Sequence, residues 1–184
     1  MACRGVHFGI TDDDLKAIRG AESDEAIIDV IQEEIEERWE KDEGFVCETD
    51  KAWDAIHRCL TDGRLQYDNG TDPLRLCILG GEQLYSGDDY IISLVPHSNL
   101  RPLADALAKI TPEFMGERYS ALPSDYGTEK TQEDCQYTWD WFSDLPKFFD
   151  QAEKAGRHVI FTVCLLYTSP SPRDLSTSRM PSSA

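Results

Sequence analysis

Three side chains within ETDKAWDAIHRC are spaced for chemistry. Asp50, Asp54 and His57 stand i, i+4 and i+7 apart, so a helix through them puts two carboxylates and an imidazole on one face. A carboxylate beside an imidazole orients the ring and steadies its charged form, which is what a general base needs. His7, in the apolar run near the start, joins the group if its strand packs nearby. One reading is therefore a small cytoplasmic enzyme using an Asp54/His57 acid–base pair, with His7 as a third candidate. The same residues have a structural assignment, which is the stronger of the two. In it Asp50 caps the helix, Asp54 pairs with Arg58 four residues on, and His57 is a boundary side chain satisfied by Asp54.

The remaining reactive side chains form no recognisable set. His7, Cys47, His57 and Cys59 offer ligand atoms suited to zinc. His57 and Cys59, however, are two apart and leave a helix on different sides. Neither HExxH nor paired CxxC occurs, so neither a metal nor a cofactor is expected. Gly80-Gly81 lacks the spacing and the lysine of a phosphate loop, and Glu82 follows at once; a tight turn using glycine's backbone freedom is expected instead. Asp88-Asp89 reads as a solvated turn. No serine stands in GxSxG. Cys59, next to Arg58 and His57, has the neighbours of an activated thiolate, but its place beside Ala52, Ala55 and Ile56 puts it in the core.

Charge gives the other reading. The 184 residues carry a formal net charge of −17. Such a balance argues against binding phosphate backbones or anionic membranes, both of which need a basic footprint. Between Glu22 and Glu43 lie eleven acids, answered only by Arg38 and Lys41. Ile27, Ile31, Ile35 and Trp39 fall four apart in the same stretch, a helical seam with acids opposite. Like charges cost tenths of a kcal/mol per i,i+4 pair. Burying the seam gains about 1.5–3 kcal/mol per large side chain, so the helix forms by docking. Glu33, Glu36, Glu37 and Glu40 are then a surface for a basic protein partner. The preferred reading is a non-enzymatic acidic soluble binding protein, inhibitor-like or immunity-like, which is analogy from charge and size.

The elements expected around these residues are strands at Val6–Ile10, in IISLV after Asp89-Tyr90, and over 158–163. Helices are expected after Thr11, after Ser23, over ETDKAWDAIHRCLTDG with Thr49 or Asp50 as cap, after Ser98 or Asn99, after Thr111, after Thr131, and from Pro146 after a Ser143/Asp144 cap. Leu74 to Leu79 fits either a strand or a buried helical turn. Trp139 and Trp141 cannot both face one core from one helix, which leaves one as a possible partner anchor. The fold class is α+β, one compact domain with a small mixed sheet and several helices. The start, MACRGVHFGI, lacks the apolar core of a signal peptide, and no stretch approaches 18 apolar residues. Five cysteines at irregular spacing before residue 164 suggest no disulfide framework. A reducing cytoplasm follows as the expectation.

Residues 164–184 have a different texture, with six Ser, three Pro and no Glu. Little apolar surface offsets their ordering entropy, so disorder is expected. CLLYTSPSPRD also looks like a translated transposase sequencing adapter, which implies a metagenomic reading frame whose native end was lost near Val163. The domain is then 1–163, and without the net +1 of Arg173, Arg179 and Asp174 its charge is −18.

CRGVHFGIT, ERWE, DKAWDAIHRCLTDG, CILGGEQLYSGDDYIISLV, YTWDWF and GRHVIFTV together resemble the YfbM-like family, domain of unknown function 1877. The resemblance covers 1–163 and no tail like 164–184. It implies a compact α+β fold of bacterial origin. It implies no activity and carries over no catalytic residue.

Overall fold

The computed structural model describes residues 3–41, 44–127 and 129–165, with backbone alone at 39–41. The expected disorder of the tail lies, from residue 166 onward, outside the described residues.

Five strands, β1 (Gly5–Ile10), β2 (Val46–Asp50), β3 (Glu82–Gln83), β4 (Tyr90–Val95) and β5 (His158–Cys164), form one sheet in the order β2-β1-β5-β4-β3. Every pairing is antiparallel, where a mixed sheet was expected. The reason is topological. β5 returns from the last helix to fill the gap between β1 and β4 and opposes both. β5 also runs one residue past Val163, since Cys164 faces Tyr90 and the Leu165 amide donates to the Asp89 carbonyl at 2.7 Å.

The strands read as unbroken apolar runs because helices cover both faces. Val6, Phe8 and Ile10 of β1, with Ile92, Leu94 and Ile160, meet Ile18 of α1 (Asp12–Gly20) and then Ile31 and Ile35. On the other face Val159, Phe161, Val163, Ile91 and Val95 meet a larger layer. That layer holds α3 (Trp53–Leu60), α4 (Leu100–Leu107), α5 (Pro112–Ser120), α6 (Gln132–Phe142) and α7 (Leu145–Lys154). The caps read from sequence at Thr11, Ser23, Thr111 and Thr131 each accept a backbone N–H three residues on.

Three local expectations change. The acidic arm starts as α2 (Asp24–Asp29), becomes a π-helix over Val30–Ile35 and tightens to a 3₁₀ turn over Glu36–Lys41. A seam repeating every four residues overruns the 3.6-residue α turn. The underwound stretch offsets the drift of the four-residue seam, and Ile31 and Ile35 are both buried in the core. Leu74–Cys77 is a 3₁₀ turn, which settles the strand-or-helix ambiguity. Gly80 and Gly81 are required for space rather than for a left-handed backbone. A Cβ at either would stand 2.4 Å from a carbonyl oxygen, of Arg75 and Leu94 respectively.

Candidate functional site

Asp50 does not begin a helix. It ends β2 with φ +42°, and α3 starts at Trp53 without a side-chain cap. Thr49 is no cap either: its buried hydroxyl donates to the Gly5 carbonyl across the strand pair. Two residues of strand and turn thus break the i, i+4, i+7 register. The Asp50 carboxylate accepts from Arg4 Nε at 3.0 Å and from the Tyr137 hydroxyl at 2.6 Å. Partial burial would raise its pKa, but the bonds from Tyr137 and Arg4 more than offset that and hold it below the ordinary carboxylate value.

Asp54 pairs with Arg58 as the spacing predicts, Nε to Oδ1 at 2.6 Å. His57 takes a different partner from the one expected. Its Nε2 lies 2.8 Å from the Gln66 carbonyl and 2.9 Å from Asn69 Oδ1. Two oxygen acceptors make this nitrogen the protonated one. Asn69 in turn donates to Thr61 Oγ1, Asp62 and the Arg64 carbonyl. The imidazole, 1% exposed, is the pin of the 61–70 loop. Burial lowers its pKa, against the pull of Asn69, the Gln66 carbonyl and Asp54.

His7 is fully buried, and its partners differ from those of His57. Nε2 lies 2.8 Å from the Cys77 carbonyl, and the ring packs on Phe148, Phe149 and Phe161 with centroids 4.9–6.0 Å away. Burial takes its pKa down to about 4, so the ring is neutral near pH 7. Burial also pushes the thiols of Cys47 and Cys59 up to about 12, which removes Cys59 as a nucleophile at neutral pH.

A concave site lies elsewhere. A cleft of about 510 Å³ opens between α3, α5 and α6, lined among others by Asp50, Asp54, Tyr119, Tyr126, Asp134 and Tyr137. It takes in Asp54 but neither histidine. The tyrosines give no sequence signal, because no motif joins positions 119, 126 and 137. Only the fold assembles them.

The acidic arm is solvent-facing in part. Glu33 and Glu37 are exposed, as are Glu22, Glu25, Asp29 and Glu34. Glu36 is half-buried and accepts from the Tyr90 hydroxyl at 2.7 Å, so it braces the arm against β4 instead of facing a partner. Burial raises its pKa, and the Tyr90 bond works the other way. The side chain of Glu40, like that of Trp39, lies outside what is described. Trp139 and Trp141 are both half-buried against the larger core, so neither stands out as a free anchor. Among the described residues no helix is long and apolar enough to cross a membrane.

The chain belongs to a family described as a domain of unknown function: the DUF1877 model matches residues 1–162. Among solved structures it is similar to YfbM from Escherichia coli, itself described as a protein of unknown function. The two share 19% identity with a TM-score of 0.61, covering 87% of this chain and 99% of that one. At that identity the likeness is one of fold. A search of curated proteins gives no match.

Proposed function

We propose that this chain is a non-enzymatic binding protein whose acidic arm engages a basic surface of another protein, in the manner of small inhibitor or immunity proteins. One observation carries the reading. Glu22, Glu25, Asp29, Glu33, Glu34 and Glu37 are exposed, and none makes an ion pair with a described residue. Arg38, the arm's own described cation, is spent on Asp14 at 2.7 Å and on the Glu34 carbonyl. A row of unneutralised carboxylates raises association rates with a cationic partner and selects against anionic ones. The enzyme alternative built on Asp54, His57 and His7 has less support, since Nε2 of each histidine already faces carbonyl or amide oxygens. A bacterial cytoplasm is part of the proposal, and six free cysteines suit a reducing compartment.

The test reverses Glu33, Glu34 and Glu37 to Lys, sparing Glu36 because of its bond to Tyr90. Affinity capture from a bacterial lysate, run with both proteins, should lose its basic partner in the reversed form and at high salt. Capture that is indifferent to both changes rules the arm out.

A further inference from the structure

Asn69-Gly70 joins a carboxamide to a following residue with no Cβ to shield its backbone nitrogen. That is the arrangement in which an asparagine loses its amide most readily. We infer that Asn69 is a covalent modification site: the folded 61–70 loop cages its carboxamide, and opening of the loop lets it deamidate irreversibly. The fold calls for both residues. Gly70 has φ +80°, and a Cβ on it would stand 2.7 Å from Thr61 Cγ2. The side chain at 69 must accept from His57 Nε2 at 2.9 Å and also donate to Thr61 Oγ1, Asp62 Oδ1 and the Arg64 carbonyl at 2.6–3.0 Å. A carboxamide does both, whereas a carboxylate only accepts.

The reaction is attack of the deprotonated Gly70 nitrogen on Asn69 Cγ. A bond forms from that nitrogen to Cγ, and the bond from Cγ to Nδ2 breaks. Nδ2 leaves as ammonia, taking in effect the proton that Gly70 lost. Water then opens the succinimide ring at either carbonyl and leaves aspartate or isoaspartate at position 69. Water is the only co-reactant.

Attack requires Cγ to swing onto the Gly70 nitrogen, and four hydrogen bonds hold the carboxamide where it is. Asn69 is also 7% exposed, which keeps water from the ring-opening step. The reaction therefore waits on local opening of the loop. It also locks itself. In the product an oxygen replaces Nδ2 and faces Thr61 Oγ1, the Asp62 carboxylate and the Arg64 carbonyl. The last two can only accept, and the Asp62 charge repels the new one. The cage does not close again, and the loop that carries Leu65 and Tyr67 stays open.

The experiment incubates the full chain at mildly alkaline pH, folded and in guanidinium chloride, and follows each asparagine peptide by mass spectrometry for replacement of NH2 by OH. Asn99, the chain's other asparagine, precedes the bulky Leu100 and is the internal reference. Isomerisation at Asp62-Gly63 leaves the mass unchanged and does not interfere. The unfolded chain should deamidate at Asn69 well before Asn99, and the folded chain at least about tenfold more slowly. His57→Ala removes the donor to Oδ1 and should speed the folded reaction about tenfold or more. Thr61→Ala removes one acceptor, should also speed it, and decides the matter if His57→Ala does not fold. Asn69→Asp should be cut within 61–70 by protease at levels that leave the wild type intact. Equal rates folded and unfolded, an unchanged rate in a folded variant, Asn99 reacting first, or a protease-resistant Asn69→Asp overturns the inference.

Discussion

At the level of single residues, the two histidines that look catalytic in the sequence serve the fold. Each presents Nε2 to oxygen acceptors, and burial lowers the pKa of each. His7 makes the sharper prediction. Its folded pKa, about 4, lies below its unfolded value of 6.5, so the folded state binds fewer protons. Its contribution is therefore complete above pH 6.5 and is lost as pH falls from there toward 4. The loss amounts to about 3 kcal/mol, at 1.36 kcal/mol per pKa unit. His7→Gln can still donate to the Cys77 carbonyl but does not titrate. Urea unfolding between pH 7 and pH 4 should show the wild type losing about 3 kcal/mol more than this variant; parallel curves would place the acid sensitivity elsewhere. His57→Ala strands the Gln66 carbonyl and Asn69 Oδ1 together. It should cost about 2–4 kcal/mol in urea unfolding and open the 61–70 loop to protease.

The acidic arm is the element where local preference and docking disagree most. Its seam of Ile31 and Ile35 is buried, while like charges crowd the outer surface. Glu33 stands four residues from both Asp29 and Glu37, so Glu33→Gln should raise stability by about 0.2–0.5 kcal/mol by relieving its repulsion with these two carboxylates. A higher urea midpoint would check this; a fall would mean that Glu33 makes a stabilising contact of its own. The same arm shows how far the sequence can be read. The Ser23 cap and the isoleucine seam are local, so the element was legible. Its π geometry was not, because the winding is set by the sheet that the seam must reach. β2 was missed for a related reason. Glu48, Thr49 and Asp50 are residue types that cap helices, and only pairing with Gly5 and Val6 makes them a strand. The Asp54–Arg58 pair needed nothing beyond helix spacing and was legible. Asn69 as partner of His57, and the tyrosine-lined cleft, depend on chain segments meeting across the fold, which no single window contains.

Over the whole molecule, 35 acids face 18 bases, so repulsive encounters outnumber attractive ones. The ion pairs that do form are mostly exposed, as in Lys16–Asp13 and Arg19–Glu82, and exposed pairs contribute about 0–1 kcal/mol each. Screening therefore removes more repulsion than attraction, and it acts more strongly on the compact state, where the charges are closer. Raising NaCl from about 0.02 M to 0.5 M shortens the Debye length from roughly 20 Å to about 4 Å, well below the spacing of most surface carboxylates. The thermal midpoint should climb by several degrees over that range and then level off. The variant with Glu33, Glu34 and Glu37 reversed to Lys carries six fewer units of negative charge and should show a visibly shallower rise. A midpoint that falls with salt in both proteins would mean that the paired charges, chiefly Arg101 with Asp105, Asp150 and Glu153, outweigh the excess of acids. In that case the arm's charge would be a minor feature of the molecule's field, and its proposed attraction for a basic partner would lose its physical basis.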